Sequence, residues 1–173
     1  MLTKNAYALI FGLISKTENV TMTDVYGRVY TDVNIGVNSY GLAAESYDAF
    51  FTFLPNYVNS GKPSNTGLYF GTGDTVPSAN DCMLSSDAID KLTYNKVRTY
   101  VNSEAGYSEL QATLAVKNEN TNSVTIKEIG LFGRLKADSG TRYFLMDRIV
   151  LATPITIGAG ETKSITYNLR HTY

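Results

Sequence analysis

Leu110, Ala112, Leu114 and Val116 alternate with Gln111, Thr113 and Lys117. A helix brings residues three and four apart onto one face, whereas a strand brings residues two apart together. This stretch is therefore a half-buried strand, and the residues after it keep the chain on a β path. Asn118-Glu119-Asn120-Thr121-Asn122 reads as a polar hairpin tip, after which Val124 and Ile126 point inward, then Ile129 and Leu131. The change of phase at Lys127-Glu128 predicts a β-bulge. Tyr143 to Leu151 forms another strand. Ile155-Thr156-Ile157 turns through Gly158-Ala159-Gly160-Glu161 into a last one, with Ile165, Tyr167 and Leu169 on one face.

The first half is less regular. Val20 to Thr23 alternates, and Val25 to Tyr30 reads as a second strand. Gly36, Asn38 and Gly41 mark a loop, and residues 59–65 are rich in turn formers. Between them Phe50-Phe51-Thr52-Phe53-Leu54 places aromatic rings on both faces of a strand, which calls for cover on both sides. At the start, Leu2, Ala6, Ile10 and Leu13 share a helical face, with Asn5 as the expected cap. The apolar run from Ala6 to Ile14 is too short to span a bilayer, and Leu13-Ile14-Ser15-Lys16 makes a poor secretory cleavage site.

Short strands joined by polar turns without crossover helices indicate a mostly β chain, an antiparallel β-sandwich of Ig-like or jelly-roll-like type with a short N-terminal helix. The expected organisation is a helical arm over residues 1–18 and one sandwich domain over 19–173. A domain of this length buries roughly 70% of its unfolded surface, so it folds without metal or disulfide. The 43% hydrophobic and 18% charged content agrees with a packed core. The lone Cys82 cannot form an internal disulfide and is expected as a small buried apolar residue.

Charge and chemistry narrow the function. Fifteen basic against sixteen acidic side chains give a net charge of −1, and the bases are interspersed with acids such as Glu128, Asp138 and Asp147. No stripe of positive charge is present to release counterions from phosphates, which argues against nucleic acid. In Gly67 to Thr75 the P-loop pattern fails, because Asp74 stands where a cation is needed. Val76 occupies the third glycine position of a dinucleotide motif. Gly71 and Gly73 are expected to shape a tight turn, with Asp74 or Thr75 accepting local backbone bonds. One Cys and one His make no transition-metal cluster, and Asp74, Asp81 and Asp87 read as solvated turn acids. His171 stands alone, with no nucleophile elbow, so no enzyme and no cofactor is expected. The thirteen tyrosines suit strand surfaces, or alternatively a carbohydrate-binding adhesion face.

Three ordered segments resemble a pattern in small virion proteins of tailed phages infecting Gram-positive bacteria. They are Phe70-Gly71-Thr72-Gly73-Asp74-Thr75-Val76-Pro77 with Asp81 and Leu84, Ile126 to Gly133, and Asp147 to Leu151 running into Pro154 to Ile157. The turn at Gly160-Glu161 and the strand Ile165 to Tyr167 continue the similarity, which covers residues 67 to 170. The resemblance implies a structural part of the particle, a capsid-surface decoration ahead of a tail, collar or fibre-attachment component. It also implies a place in the virion, assembled in the host cytoplasm. Its expected partners are other virion proteins, the major capsid or tail and collar proteins, in a homo-oligomer or symmetric array, with no nucleic acid and no membrane. The motif residues are Gly71, Gly73, Asp81, Leu84, Glu128 and Gly130, with Leu84 an anchor and Glu128 bonding to nearby backbone. Leu9, Ile10, Leu13, Phe50, Phe51 and Phe53 are the candidate assembly contacts.

Overall fold

A computed structural model of the chain describes residues 1–15, 19–34, 56–57, 66–104, 106–137 and 140–172. Among the described residues the chain is mostly β and antiparallel, with one helix, α1 (Lys4–Ser15). The strands are β1 (Asn19–Thr23), β2 (Val29–Asn34), β3 (Asn56–Tyr57), β4 (Gly67–Gly71), β5 (Leu92–Glu104), β6 (Tyr107–Asn118), β7 (Val124–Ala137), β8 (Gly140–Ile157) and β9 (Thr162–Thr172). Two sheets form. In the first, β7 is central: β8 lies along one edge, and β4 and β2 share the other. The outer strand β1 extends this sheet from β2. The second has the order β3-β5-β6-β9.

The alternation that marked β6 works as expected, with Ala112, Leu114 and Val116 buried. They meet Leu92 and Tyr94 of β5 and Ile165 and Tyr167 of β9 in one apolar cluster. The first sheet contributes Val33, Leu68, Phe70, Ile126, Ile129, Leu131 and Phe144 to the same cluster, so the sheets pack face to face. Phe70 and Tyr94 meet edge to face at 6.1 Å, and the Tyr94 hydroxyl accepts the Leu68 N–H at 3.0 Å. A second polar bond crosses between the sheets: Tyr167 Oη donates to Asp147 Oδ2 at 2.5 Å. Burial, reinforced by the carboxylate beside it, pushes the Tyr167 hydroxyl well above its usual pKa, which keeps it a donor. The Met1 amino group lies 3.0 Å from the other Asp147 oxygen.

The bulge lies where the phase changes. Ile126 pairs with Ile155 but Glu128 pairs with Val150. Residues before and after it therefore turn the same kind of side chain inward, and Glu128 turns away from the inter-sheet core. Sequence and structure differ elsewhere in the fold too. The polar segment after Asn118 is not a hairpin tip, because β6 and β7 belong to different sheets and residues 119–123 cross between them. Asn118 explains why the crossing is polar. Its buried Nδ2 donates to the carbonyls of Asn122, Ile157 and Gly158, and its oxygen accepts from Asn120. Its backbone N–H donates to Glu161 O and its carbonyl accepts from Gly160 N, so one residue fixes both crossings.

Val25 to Arg28 forms a turn instead of extending a strand. Asp24 Oδ1 accepts the N–H groups of Tyr26 and Arg28, and Gly27 adopts φ 77°. The helix is capped by Thr3, whose hydroxyl accepts from Ala6 N, while Asn5 exchanges two 2.8 Å bonds with the Thr23 backbone. The Asn5 amide matches a peptide group, and in this position it ties α1 to β1 where a cap would serve the helix alone. Cys82 is half-buried, not enclosed. The Phe50–Leu54 segment, the loop at Gly36, Asn38 and Gly41, and the turn-rich residues 59–65 lie outside the described residues.

Replacing Tyr167 by Phe removes the cross-sheet bond and leaves a buried carboxylate short of a donor. The expected loss is about 1–3 kcal/mol of stability, read by denaturant unfolding. A midpoint equal to the wild type would show that the bond carries nothing.

Candidate functional site

The outer face of the first sheet is also covered. Residues 72–91 fold over it between β4 and β5, and Tyr69, Leu84, Ala88, Phe132 and Leu145 form a second apolar cluster there with Val25. Leu84 rests directly on Gly130: a Cβ on that glycine would come within 2.7 Å of Leu84 Cδ2. Beside this cluster lies a buried group of charges.

Glu128 is fully buried, and each of its carboxylate oxygens accepts three bonds. Oε1 takes Gly73 N at 3.1 Å, Ser86 N at 3.0 Å and Ser86 Oγ at 2.9 Å. Oε2 takes Ser85 N at 3.0 Å, Ser85 Oγ at 3.1 Å and Arg148 Nε at 2.8 Å. Arg148, 1% exposed, reaches further into the same loop. Its Nη1 donates to Asp81 Oδ2 at 2.7 Å and its Nη2 to the Thr75 carbonyl at 2.9 Å. Asp81 also receives the Ser78 N–H. Two charges on neighbouring strands thus hold both limbs of the 72–88 segment.

Burial alone pushes the Glu128 carboxyl up, but the Ser85 N–H, the Arg148 guanidinium and the Ser86 donors more than offset this and leave it below its ordinary value. Arg148 is held charged by the same balance, burial opposing and Asp81 and Glu128 favouring the cation. A carboxylate whose oxygens each accept three bonds is a poor general base, because no lone pair remains for a substrate proton. The arrangement organises backbone.

Gly71, Gly73, Asp81, Leu84, Glu128 and Gly130 therefore come together in one place. Gly71, at the end of β4, and Gly73, in the loop after it, do so for a reason other than a tight turn. Neither has positive φ; instead, a Cβ on Gly71 or Gly73 would collide with the Glu128 carboxylate. Asp74 does not bond the local backbone but pairs with Lys127 at 3.1 Å on the surface. Of the candidate assembly contacts, Leu9, Ile10 and Leu13 lie on α1, where Ile10 is half-buried and the other two side chains lie outside what is described. Phe50, Phe51 and Phe53 lie outside the described residues. Tyr30, Tyr69, Tyr94 and Tyr167 are interior, whereas Tyr7 and Tyr26 are exposed. Arg148 is the residue of the site hardest to anticipate, since in the sequence it is only one of several bases interspersed with acids. Its one signal is that the residues two positions away on its strand, Met146 and Val150, are apolar.

No family model, no curated protein and no solved structure matches this chain. Among the described residues, no group of three or more His, Cys, Asp or Glu is placed to hold a metal ion, and no helix is long and apolar enough to cross a membrane.

Glu128→Ala leaves Arg148 buried without one of its two counter-charges and deprives the donors of Gly73, Ser85 and Ser86 of this acceptor. The expected loss is about 3–5 kcal/mol in denaturant unfolding, and an unchanged midpoint would contradict the geometry. The acid limb offers a second check. Folding lowers the Glu128 carboxyl below its ordinary 4.5, so its stabilisation is complete above that value and is lost as pH falls through the depressed folded value. Glu128→Gln should flatten the acid side of a stability-versus-pH curve. Parallel curves for the two proteins would show that the charge is not coupled to folding.

Proposed function

We propose that this chain is a structural component of a tailed-phage virion, a capsid-surface decoration in preference to a tail, collar or fibre-attachment part. The observation that carries the reading is convergence. The three segments that resemble small virion proteins interlock physically: Gly67–Gly71 pairs with residues 128–132, and Glu128 pairs with Val150 on the next strand. Arg148, donating to Glu128 and to Asp81, then joins all three. Short turn motifs shared by chance would be scattered over a sandwich; these depend on one another for their conformation.

The chemistry of the site supports a role in holding shape. Its strongest charges are engaged with backbone and with each other, a use suited to a scaffold and not to turnover. Its partners in this reading are the major capsid or tail and collar proteins, reached in a homo-oligomer or symmetric array, in which repeated contacts compensate for small ones. The glycan-binding alternative has less support, because four tyrosines fill the interior.

Quantitative mass spectrometry of purified particles tests the proposal through the ratio of this chain to the major capsid protein. Copies on the order of hundreds per particle support decoration of the lattice, whereas roughly a dozen support a vertex, tail or collar. Absence from the particle overturns the reading.

A further inference from the structure

The segment 72–77 leaves β4 without regular structure, yet it is held from beneath along its length. Thr72 N and Gly73 N both donate to Ser86 Oγ, at 2.9 and 3.0 Å. Gly73 N also reaches Glu128, the Thr75 carbonyl accepts from Arg148, and the Ser78 N–H closes the segment on Asp81. The side chains on its other side face solvent. Val76 is 81% exposed, more than any other large apolar residue described, and the Asp74 side chain is 74% exposed. Thr72 and Thr75 are exposed beside them.

Burying an ion pair is a poor way to gain stability, since apolar residues of similar volume do as well or better. What such a pair supplies is one defined path for the backbone that bonds to it. Here the backbone so defined includes a surface loop bearing an apolar tip. Ordering a contact loop before encounter removes the conformational cost that binding would otherwise carry.

We infer that residues 72–77 are a preformed contact loop that docks on another protein of the particle, with Val76 entering an apolar socket and Asp74 facing positive charge on its rim. The inference rests on the virion reading and names the surface that reading requires. The charge of the rim follows from complementarity: the loop's one carboxylate meets only the partly exposed Lys127 among the described ion pairs, in a surface bridge that is weak and exchangeable. A loop of this size covers far less than the roughly 1,000 Å² of a stable interface, so a single copy binds weakly and occupancy depends on many equivalent sites.

The test uses particles grown without the chain's gene and supplied with the full-length protein, wild type or Val76→Asp, and counts copies retained per purified particle. Ser164→Asp, an exposed position on the other sheet, carries the same added charge. Unfolding midpoints equal to wild type for both variants establish intact folds. The expected result is full occupancy for wild type and Ser164→Asp and at least a tenfold loss for Val76→Asp. Wild-type occupancy by Val76→Asp, or equal loss in both variants, overturns the contact loop while leaving the virion reading in place. Failure of the wild-type protein to bind overturns the virion reading and this inference with it.

Discussion

Glu128 and Arg148 sit on neighbouring strands of the first sheet, yet both reach out of it to the same loop. Their 2.8 Å bond is the point at which sheet and loop are joined. The bulge turns Glu128 away from the inter-sheet core, and the register after it sets Arg148 on the strand alongside. Gly71 and Gly73 leave room for the carboxylate, and Ser85 and Ser86 each bring a hydroxyl and an amide to it. Remove the carboxylate and a buried guanidinium is left with Asp81 and a carbonyl, while the amides of Gly73, Ser85 and Ser86 lose this acceptor. Each of these elements is reasonable only in the presence of the others.

The molecule consequently has two kinds of interior. Between the sheets the contacts are almost wholly apolar, crossed by the Tyr94–Leu68 and Tyr167–Asp147 bonds and bounded at one end by Asn118. Outside the first sheet the cover is a loop, and loops expose backbone groups that a strand would have paired internally. Charge fills that need, because one carboxylate can accept several N–H groups at once. The apolar cluster around Leu84, Tyr69 and Phe132 supplies adhesion beside it. Adhesion alone would allow the loop several paths; the ion pair selects one.

Much of the sandwich is legible in the sequence because burial on one face imposes a period of two. The strands around Leu114 and Tyr167 and the bulge at Glu128 are visible by that rule. Connections are less legible, since a polar segment such as 118–122 looks the same whether it closes a hairpin or crosses between sheets. The difference lies in where Asn118 finds its carbonyls, which is a tertiary fact. Local side-chain chemistry misleads at Asn5 and Asp24, where the nearest use of a polar group competes with another. The site is legible as a set of motif residues, but not as an ion pair. Glu128 and Arg148 are twenty positions apart, and only the register of β7 against β8 brings them together.

Amide hydrogen exchange at Gly73, Ser85 and Ser86 tests most directly whether the ion pair holds the loop. These three N–H groups lie outside regular structure and bond to Glu128. If the clamp holds, they exchange only on global unfolding, at the same free energy as amides in the centre of β7. Exchange as fast as that of an open surface loop would show that Glu128 and Arg148 do not hold it.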